Sequence, residues 1–188
     1  MSRVFVKPKR CIGPSQLSSI LGYSDRLCTS KQLKENLENG FWKETTERMA
    51  FGIRNEAVGI TVYEKHKQLK VTPAGFKNAL NGRLVGKADG LIGEDGGLEI
   101  KCHMDREPLQ KIPCYYLVQI VAYLYMYKRE WWDFMCCSFR DGKIKRCKII
   151  RIYWKNHRET WFREWLPQIK SFISSVRWKL PANNFQKN

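Results

Sequence analysis

The sequence predicts an α/β fold, a central mixed β-sheet flanked by helices, and three observations carry that expectation. Stretches of helical period at 43–66, 113–129 and 157–178 are interleaved with strand-like runs at 83–92, 98–103, 131–139 and 144–154. Turn-forming residues are concentrated between runs, as Gly93-Glu94-Asp95-Gly96-Gly97 and Arg140-Asp141-Gly142. Hydrophobic residues make up 43% of the 188 and aromatics 13%, enough for a proper core in a single domain spanning 1–188.

In chain order, residues 1–12 read as a basic, partly extended arm. Pro14 and Ser15 lead into Leu17, Ile20 and Leu21, a short helix stopped at Gly22. Over 43–66, Met49, Ile53, Ile60 and Tyr63 recur at spacings of three, four and seven and mark one apolar face. Glu56 lies on that face, where a carboxylate is costly unless something compensates its charge or it reaches solvent at the edge. Residues 68–72 suggest a strand, followed by a turn near Pro73–Gly75. Strands 83–92 and 98–103 form a hairpin. Pro113 suits the first turn of the next helix. Trp161, Trp165, Ile169 and Phe172 share one face of the last helix, and 180–188 form a loose polar tail.

Thirty-four Lys plus Arg against eighteen Asp plus Glu give a net charge of +16, which points to a polyanion, either nucleic acid or anionic lipid. Lipid is disfavoured. No run of about 18 apolar residues could span a bilayer. The start MSRVFVKPKR lacks the apolar stretch of a secretory signal, and no lipidation box closes the chain. The seven cysteines, at 11, 28, 102, 114, 136, 137 and 147, are odd in number, with no C-x-x-C pair. They read as reduced thiols of an intracellular protein rather than a disulfide framework or zinc site.

The hairpin carries the chemistry. Side chains alternate along a strand, so Lys87, Asp89 and Leu91 share one face, and Glu99, Lys101 and His103 share one face of the partner. An odd-length loop, 93–95 or 93–97, puts the two sets on the same side. With the shorter loop Asp89 stands opposite Glu99, their Cβ atoms about 5 Å apart. Two carboxylates at that distance repel, and a hard divalent cation such as Mg²⁺, for which Mn²⁺ would substitute, reverses the sign. Lys101 would orient or deprotonate a nucleophile there and counter charge developing on phosphate. The apolar neighbours of both acids place them on strands covered on their other face rather than on a solvated loop.

In order and spacing these pieces resemble the PD-(D/E)XK nucleases, and within them the phage lambda exonuclease and YqaJ-type viral recombinase group. Residues 12–22 (IGPSQLSSILG) look like the group's N-terminal segment with its serine before a short helix. Phe51-Gly52-Ile53-Arg54-Asn55-Glu56 is similar to its helical G-x(3)-E element. Ala88-Asp89-Gly90 and Leu98-Glu99-Ile100-Lys101-Cys102 resemble the catalytic core, with Ala88 where the family usually has Pro. Tyr115-Tyr116-Leu117-Val118-Gln119-Ile120 looks like its glutamine-bearing helix. The likeness spans roughly 10–140.

The resemblance implies a restriction-endonuclease-like core and a Mg²⁺-dependent deoxyribonuclease, most often a 5′→3′ double-strand exonuclease in recombination or viral DNA processing. Asp89, Glu99 and the carbonyl of Ile100 would hold metal, and Lys101 would be the catalytic lysine. Glu56 would support the metal or its water, and Gln119 would position lysine or water. A pocket for a 5′-terminal phosphate would draw on Arg10, Ser15, Lys87 and Arg106. A strand-annealing partner protein and a homotrimer come with the same resemblance, although nothing in the residues themselves shows oligomerisation. Two rivals stand beside this reading: a structure-selective or nicking endonuclease on the same fold, and a non-catalytic basic DNA-binding module. Iron–sulfur members of the superfamily need four clustered cysteines, which these spacings do not offer. Away from the site, the run 143–148 either tracks a phosphate backbone or forms a solvated strand face.

Overall fold

The structure, a computed structural model, describes residues 11–41 and 45–178. The arm at 1–10, with Arg10, and the tail at 180–188 lie outside the described residues. Cys11 and Ile12 do not belong to an extended arm. Both are buried, and Ile12 bridges to Leu84 through Ile12 N–H to the Arg83 carbonyl at 2.8 Å and Val85 N–H to the Ile12 carbonyl at 2.9 Å.

A turn of 3₁₀ helix at Pro14–Gln16 runs into α1 (Leu17–Ile20), which ends before Gly22 at φ +71°. Next comes α2 (Ser30–Asn39), a helix the sequence reading omits although its caps are legible. Thr29 and Gln32 exchange backbone-to-side-chain hydrogen bonds at 3.0 and 3.1 Å, and Gly40 closes the helix at φ +75°. The long helix α3 (Glu47–Lys67) starts at Thr46, whose hydroxyl accepts from Met49 N–H.

Strands β1 (Val71–Thr72), β2 (Lys77–Ala79), β3 (Leu84–Gly86), β4 (Gly90–Ile92) and β5 (Gly96–Met104) follow. Then come α4 (Cys114–Tyr127), β6 (Trp131–Arg140) and β7 (Lys143–Tyr153). Five strands form one sheet in the order β1-β4-β5-β6-β7, and β2 pairs with β3 separately. The β5–β6 pair is parallel and joined through α4, while the other pairs are antiparallel, so the sheet is mixed.

Three expectations change here. The strand expected over 83–92 is two strands in different sheets, β3 and β4, with Lys87-Ala88-Asp89 in the break between them. The helix expected over 157–178 is a composite: a 3₁₀ turn (Trp154–Asn156), α5 (Arg158–Thr160), a π-helical turn (Trp161–Trp165) and α6 (Leu166–Ser175). Its buried face is as expected, with Trp161, Trp165 and Ile169 all buried. Pro113 caps α4 from outside, at N-cap, rather than occupying its first turn.

The sheet is covered on both faces. On one side α4 sets Val118, Ile120 and Val121 against Trp132, Phe134 and Cys136. On the other, α3 packs over Ile100, Met135 and Cys137. Gly59 permits that approach, since a Cβ there would lie 2.9 Å from Ile100 Cγ2. The apolar stripe expected on α3 is only half buried: Tyr63 is fully enclosed, whereas Met49 and Ile53 are 44% and 61% exposed, and Phe51 makes the contact of the first turns with Phe139 of the sheet.

Beneath α3 lies an ionic cluster. Asp133 of β6 is inaccessible to solvent and accepts from the Tyr63 hydroxyl at 2.5 Å and from Arg151 Nε and Nη2 at 2.8 Å each. The Arg151 guanidinium in turn stacks 3.6 Å from the Trp131 ring centroid. On the outer strand, Lys145 pairs with Asp141 at 3.8 Å and Arg146 with Glu107 at 2.9 Å.

Candidate active site

The β4–β5 register pairs Gly90 with Leu98 and Ile92 with Gly96, which is the register of the short loop 93–95. Continued by one residue, it sets Asp89 against Glu99. Asp89 sits just before β4, and its Oδ2 accepts from Ile100 N–H at 2.6 Å. That bond replaces the strand partner that β4 no longer supplies. N–H and C=O of one strand residue face the same edge, so the Ile100 carbonyl faces the Asp89 edge as well.

Glu99 is buried on the α4 side of β5. Its Oε1 accepts from Lys101 Nζ, two residues along the strand, and from Gln119 Nε2 of α4 at 2.7 Å. Its Oε2 is buried with no hydrogen-bond partner. An orphaned carboxylate oxygen in that position costs free energy unless a cation or donor satisfies it.

The backbone that carries Asp89 is fixed by tyrosines of α4. The Tyr123 hydroxyl donates to the Lys87 carbonyl at 3.0 Å. The Tyr127 hydroxyl accepts from Ala88 N–H at 3.1 Å and donates to the Gly75 carbonyl at 2.6 Å. A proline at position 88 could not make the Ala88 bond, which gives this chain's departure from the usual Pro a physical reason. Lys101 Nζ also lies 5.2 Å from the centroid of the Tyr116 ring. Tyr116, Gln119, Tyr123 and Tyr127 recur at spacings of three, four and four on one helix face, a polar stripe that identifies these positions and that the reading from sequence used only at Gln119.

The electrostatics point to a shortage of positive charge. Burial, then the Asp89 charge, pushes Glu56 up to about 7. Burial and Asp89 push Glu99 up to about 8 against the pull of Lys101. Burial likewise raises Asp89, opposed by Lys101, the Ile100 N–H and Lys87. Burial works against the Lys101 charge, but Glu99 and Asp89 outweigh it and hold the ammonium protonated beyond its ordinary range.

The donor set fits a hard divalent cation: carboxylate oxygens of Asp89 and Glu99, one orphaned, and a carbonyl on the same edge. Among the described residues no three His, Cys, Asp or Glu side chains form a metal cage by themselves. An open site that leaves positions for water and phosphate oxygens matches that count.

The remaining expected residues divide. Lys87 is exposed, and its charge bears on both Glu56 and Asp89. Arg106 is exposed beyond β5 and, after burial, lowers His103, together with Lys101 and Arg26. Ser15 lines a cleft of about 560 Å³ with Gln32, Asn36, Phe41 and Met49, and none of Glu56, Asp89, Glu99 and Lys101 lines that cleft. Arg26, absent from the reading of the sequence, is hydrogen-bonded to the Tyr115 hydroxyl and stacked 4.7 Å from its ring centroid, on the His103 side of the site.

A pH dependence follows. Glu99 and Glu56 hold their protons more tightly folded than unfolded, so their stabilisation is complete below about pH 4.5 and is lost as pH rises toward about 8. In chelator, the melting temperature of the wild type should fall across that interval more steeply than that of Glu99→Gln. Parallel curves would show that Glu99 is not the buried acid described here.

This arrangement of parallel β5 and β6, antiparallel β4, helices on both faces and the acid–acid–lysine set at the break is that of the PD-(D/E)XK fold of restriction endonucleases. Residues 6–130 match the model of the YqaJ-like viral recombinase domain, and the chain belongs to that family. Among solved structures it is similar to the alkaline exonuclease LHK-Exo of Laribacter hongkongensis, with TM-score 0.69 and 18% identity over 87% of this chain and 86% of that one. The dAMP complex of LHK-Exo matches with TM-score 0.70, 18% identity and the same coverage. A phage-related exonuclease of Haemophilus somnus 129PT matches with TM-score 0.66 and 13% identity over 86% of this chain and 92% of that one. At these identities the likeness is one of fold. No curated protein sequence matches the chain. No helix among the described residues is long and apolar enough to cross a membrane.

Proposed function

We propose that the chain is a metal-dependent deoxyribonuclease that degrades duplex DNA from its ends, in the 5′→3′ direction, during recombination or viral DNA processing. The observation that carries this reading is the buried, half-satisfied Glu99, held by Lys101 and Gln119 beside Asp89. Family membership, the exonucleases that share the fold and the net charge of +16 support DNA as substrate.

Asp89, Glu99 and the Ile100 carbonyl would hold Mg²⁺, with Mn²⁺ as substitute; the ion would supply Lewis-acid polarisation of the phosphate and a more acidic water. The protein's own residues account for the rest. Lys101 stays charged, so it counters charge developing on the phosphate rather than removing a proton. Glu56, poised at about 7, takes or holds a proton at the attacking water near neutral pH. Gln119 and the Tyr116 ring fix Glu99 and Lys101 in place. Lys87 and Arg106, with Ser15 and Arg10, belong to the same proposal as contacts to the 5′-terminal phosphate. So do a strand-annealing partner and a homotrimer.

The test compares end-labelled linear duplex with a covalently closed circle in Mg²⁺. Degradation of the linear form alone, faster from 5′-phosphate than from 5′-hydroxyl ends, is expected. Cutting of the circle at the same rate would make the enzyme an endonuclease. Binding without cleavage at any divalent concentration would leave a non-catalytic DNA-binding module.

A further inference from the structure

Three cysteines stand side by side on the sheet face that carries α3. Cys102 of β5 is the register partner of Cys137 of β6, and Cys137 is the register partner of Cys147 of β7. Strand alternation turns all three away from Glu99 and Lys101. They share an apolar cluster with Phe51, Ile60 and Phe139. Cys136 faces the other way, where its sulfur accepts from Leu109 N–H at 3.4 Å.

Neighbouring strands lie about 4.8 Å apart, inside the roughly 4.4–6.8 Å Cα separation that a disulfide spans. A shared soft metal ion does not fit the row. Its outer sulfurs are two strand spacings apart, about 10 Å, while zinc–sulfur bonds are about 2.3 Å. Cys137 is buried, but Cys102 and Cys147 are only partly so, which gives a small reagent access from the ends of the row.

We propose that Cys102 and Cys137 are a thiol pair that a low-molecular-weight disulfide converts into a reversible cross-strand disulfide between β5 and β6. With oxidised glutathione, the Cys102 sulfur attacks one glutathione sulfur, its proton passes to solvent, and one glutathione leaves. The Cys137 sulfur then attacks the Cys102 sulfur of the mixed disulfide, loses its proton, and displaces the second glutathione. Two protein thiols are oxidised and one small disulfide is reduced to two thiols. Cys102, on the inner strand β5, is the partner rather than Cys147 on the edge strand β7.

Closing the bond sets the two Cβ atoms about 3.8 Å apart, a local shift of Cys102 on β5 against Cys137 on β6. The shift falls one residue from Lys101 and two from Ile100, whose N–H holds Asp89. Oxidation therefore weakens cation binding at Asp89 and Glu99. This consequence rests on the reading of that pair as cation ligands.

The full chain is treated with oxidised glutathione, alkylated, digested with trypsin and mapped by mass spectrometry. A link between the 102–106 and 130–140 peptides is expected, reversed by dithiothreitol, kept in Cys136→Ser and lost in Cys137→Ser. Fragmentation of the linked wild-type peptide, which assigns the bond to Cys137 or Cys136, decides even if a serine variant fails to fold. A Cys137–Cys147 link, glutathione adducts without a link, or no oxidation would overturn the thiol pair. In the second arm, the Mg²⁺-induced rise in melting temperature should shrink on oxidation and return on reduction. An undiminished rise in the linked protein would overturn the coupling. No rise in the reduced protein would overturn the cation reading, while the peptide map still decides the thiol pair.

Discussion

Glu99→Gln and Lys101→Ala should each lower the rate of DNA cleavage by at least about a hundredfold while leaving DNA affinity nearly intact. Glu99 is the residue on which the site converges, since Lys101 and Gln119 both bond its Oε1 and its Oε2 is left for a cation. Glutamine keeps the shape but replaces one oxygen by a donor and removes the charge. Alanine at 101 deletes the ammonium that, in the proposed reaction, would face the phosphate. Either change alters a net charge of +16 by one unit, so phosphate contacts over the rest of the surface persist. Fold loss is separable from loss of chemistry here. Removing a buried acid pushed up to about 8 should leave Glu99→Gln at least as stable as wild type near neutral pH in chelator. Gel-shift affinity and cleavage rate measured on the same preparations check this. Wild-type rates in either variant would overturn the site.

Asp133→Asn should destabilise the protein by about 1–3 kcal/mol, the cost of leaving hydrogen-bond donors under α3 without a buried acceptor. Asp133 is sealed from solvent and takes three hydrogen bonds, one from Tyr63 and two from Arg151. An asparagine offers one acceptor oxygen where the carboxylate offers two, so either Arg151 Nε loses its acceptor, or the Tyr63 hydroxyl and Arg151 Nη2 lose theirs together. The cluster ties α3 to β6 and β7, and α3 carries Glu56. Loss of stability should therefore come with loss of order at Glu56. Denaturant unfolding measures the first quantity. A change below about 1 kcal/mol, typical of an exposed ion pair, would mean that the cluster is not sealed.

The core of the site was legible because it depends on local rules. The length of one turn was enough to set Asp89 in register with Glu99, although Asp89 lies in the break before β4 and not on the strand expected there, and helical period put Glu56 on the covered side of α3. Less legible was whatever depends on distant partners. Residues 83–92 alternate like one strand, but the hydroxyls of Tyr123 and Tyr127 take the backbone of Lys87 and Ala88 and break it in two. Those tyrosines come from α4, more than thirty residues away. The helix α2 was missed despite a Thr29–Gln32 capping box and a Gly40 terminator, because its apolar face is narrow, with Leu33 and Leu37 as its buried residues. Met49 and Ile53 fitted a helical stripe, but period alone does not say which residues of a turn meet the sheet, and there Phe51 takes the contact with Phe139.

The central claim is that Asp89 and Glu99 jointly hold a divalent cation, and thermal unfolding under Mg²⁺ or Mn²⁺ titration tests it without reference to any substrate. A cation that binds the folded state and relieves the repulsion of buried carboxylates raises the melting temperature in step with its concentration. Wild type should show that rise, and Asp89→Asn and Glu99→Gln should lose most of it. An equal rise in all three proteins would place the ion elsewhere and contradict the account.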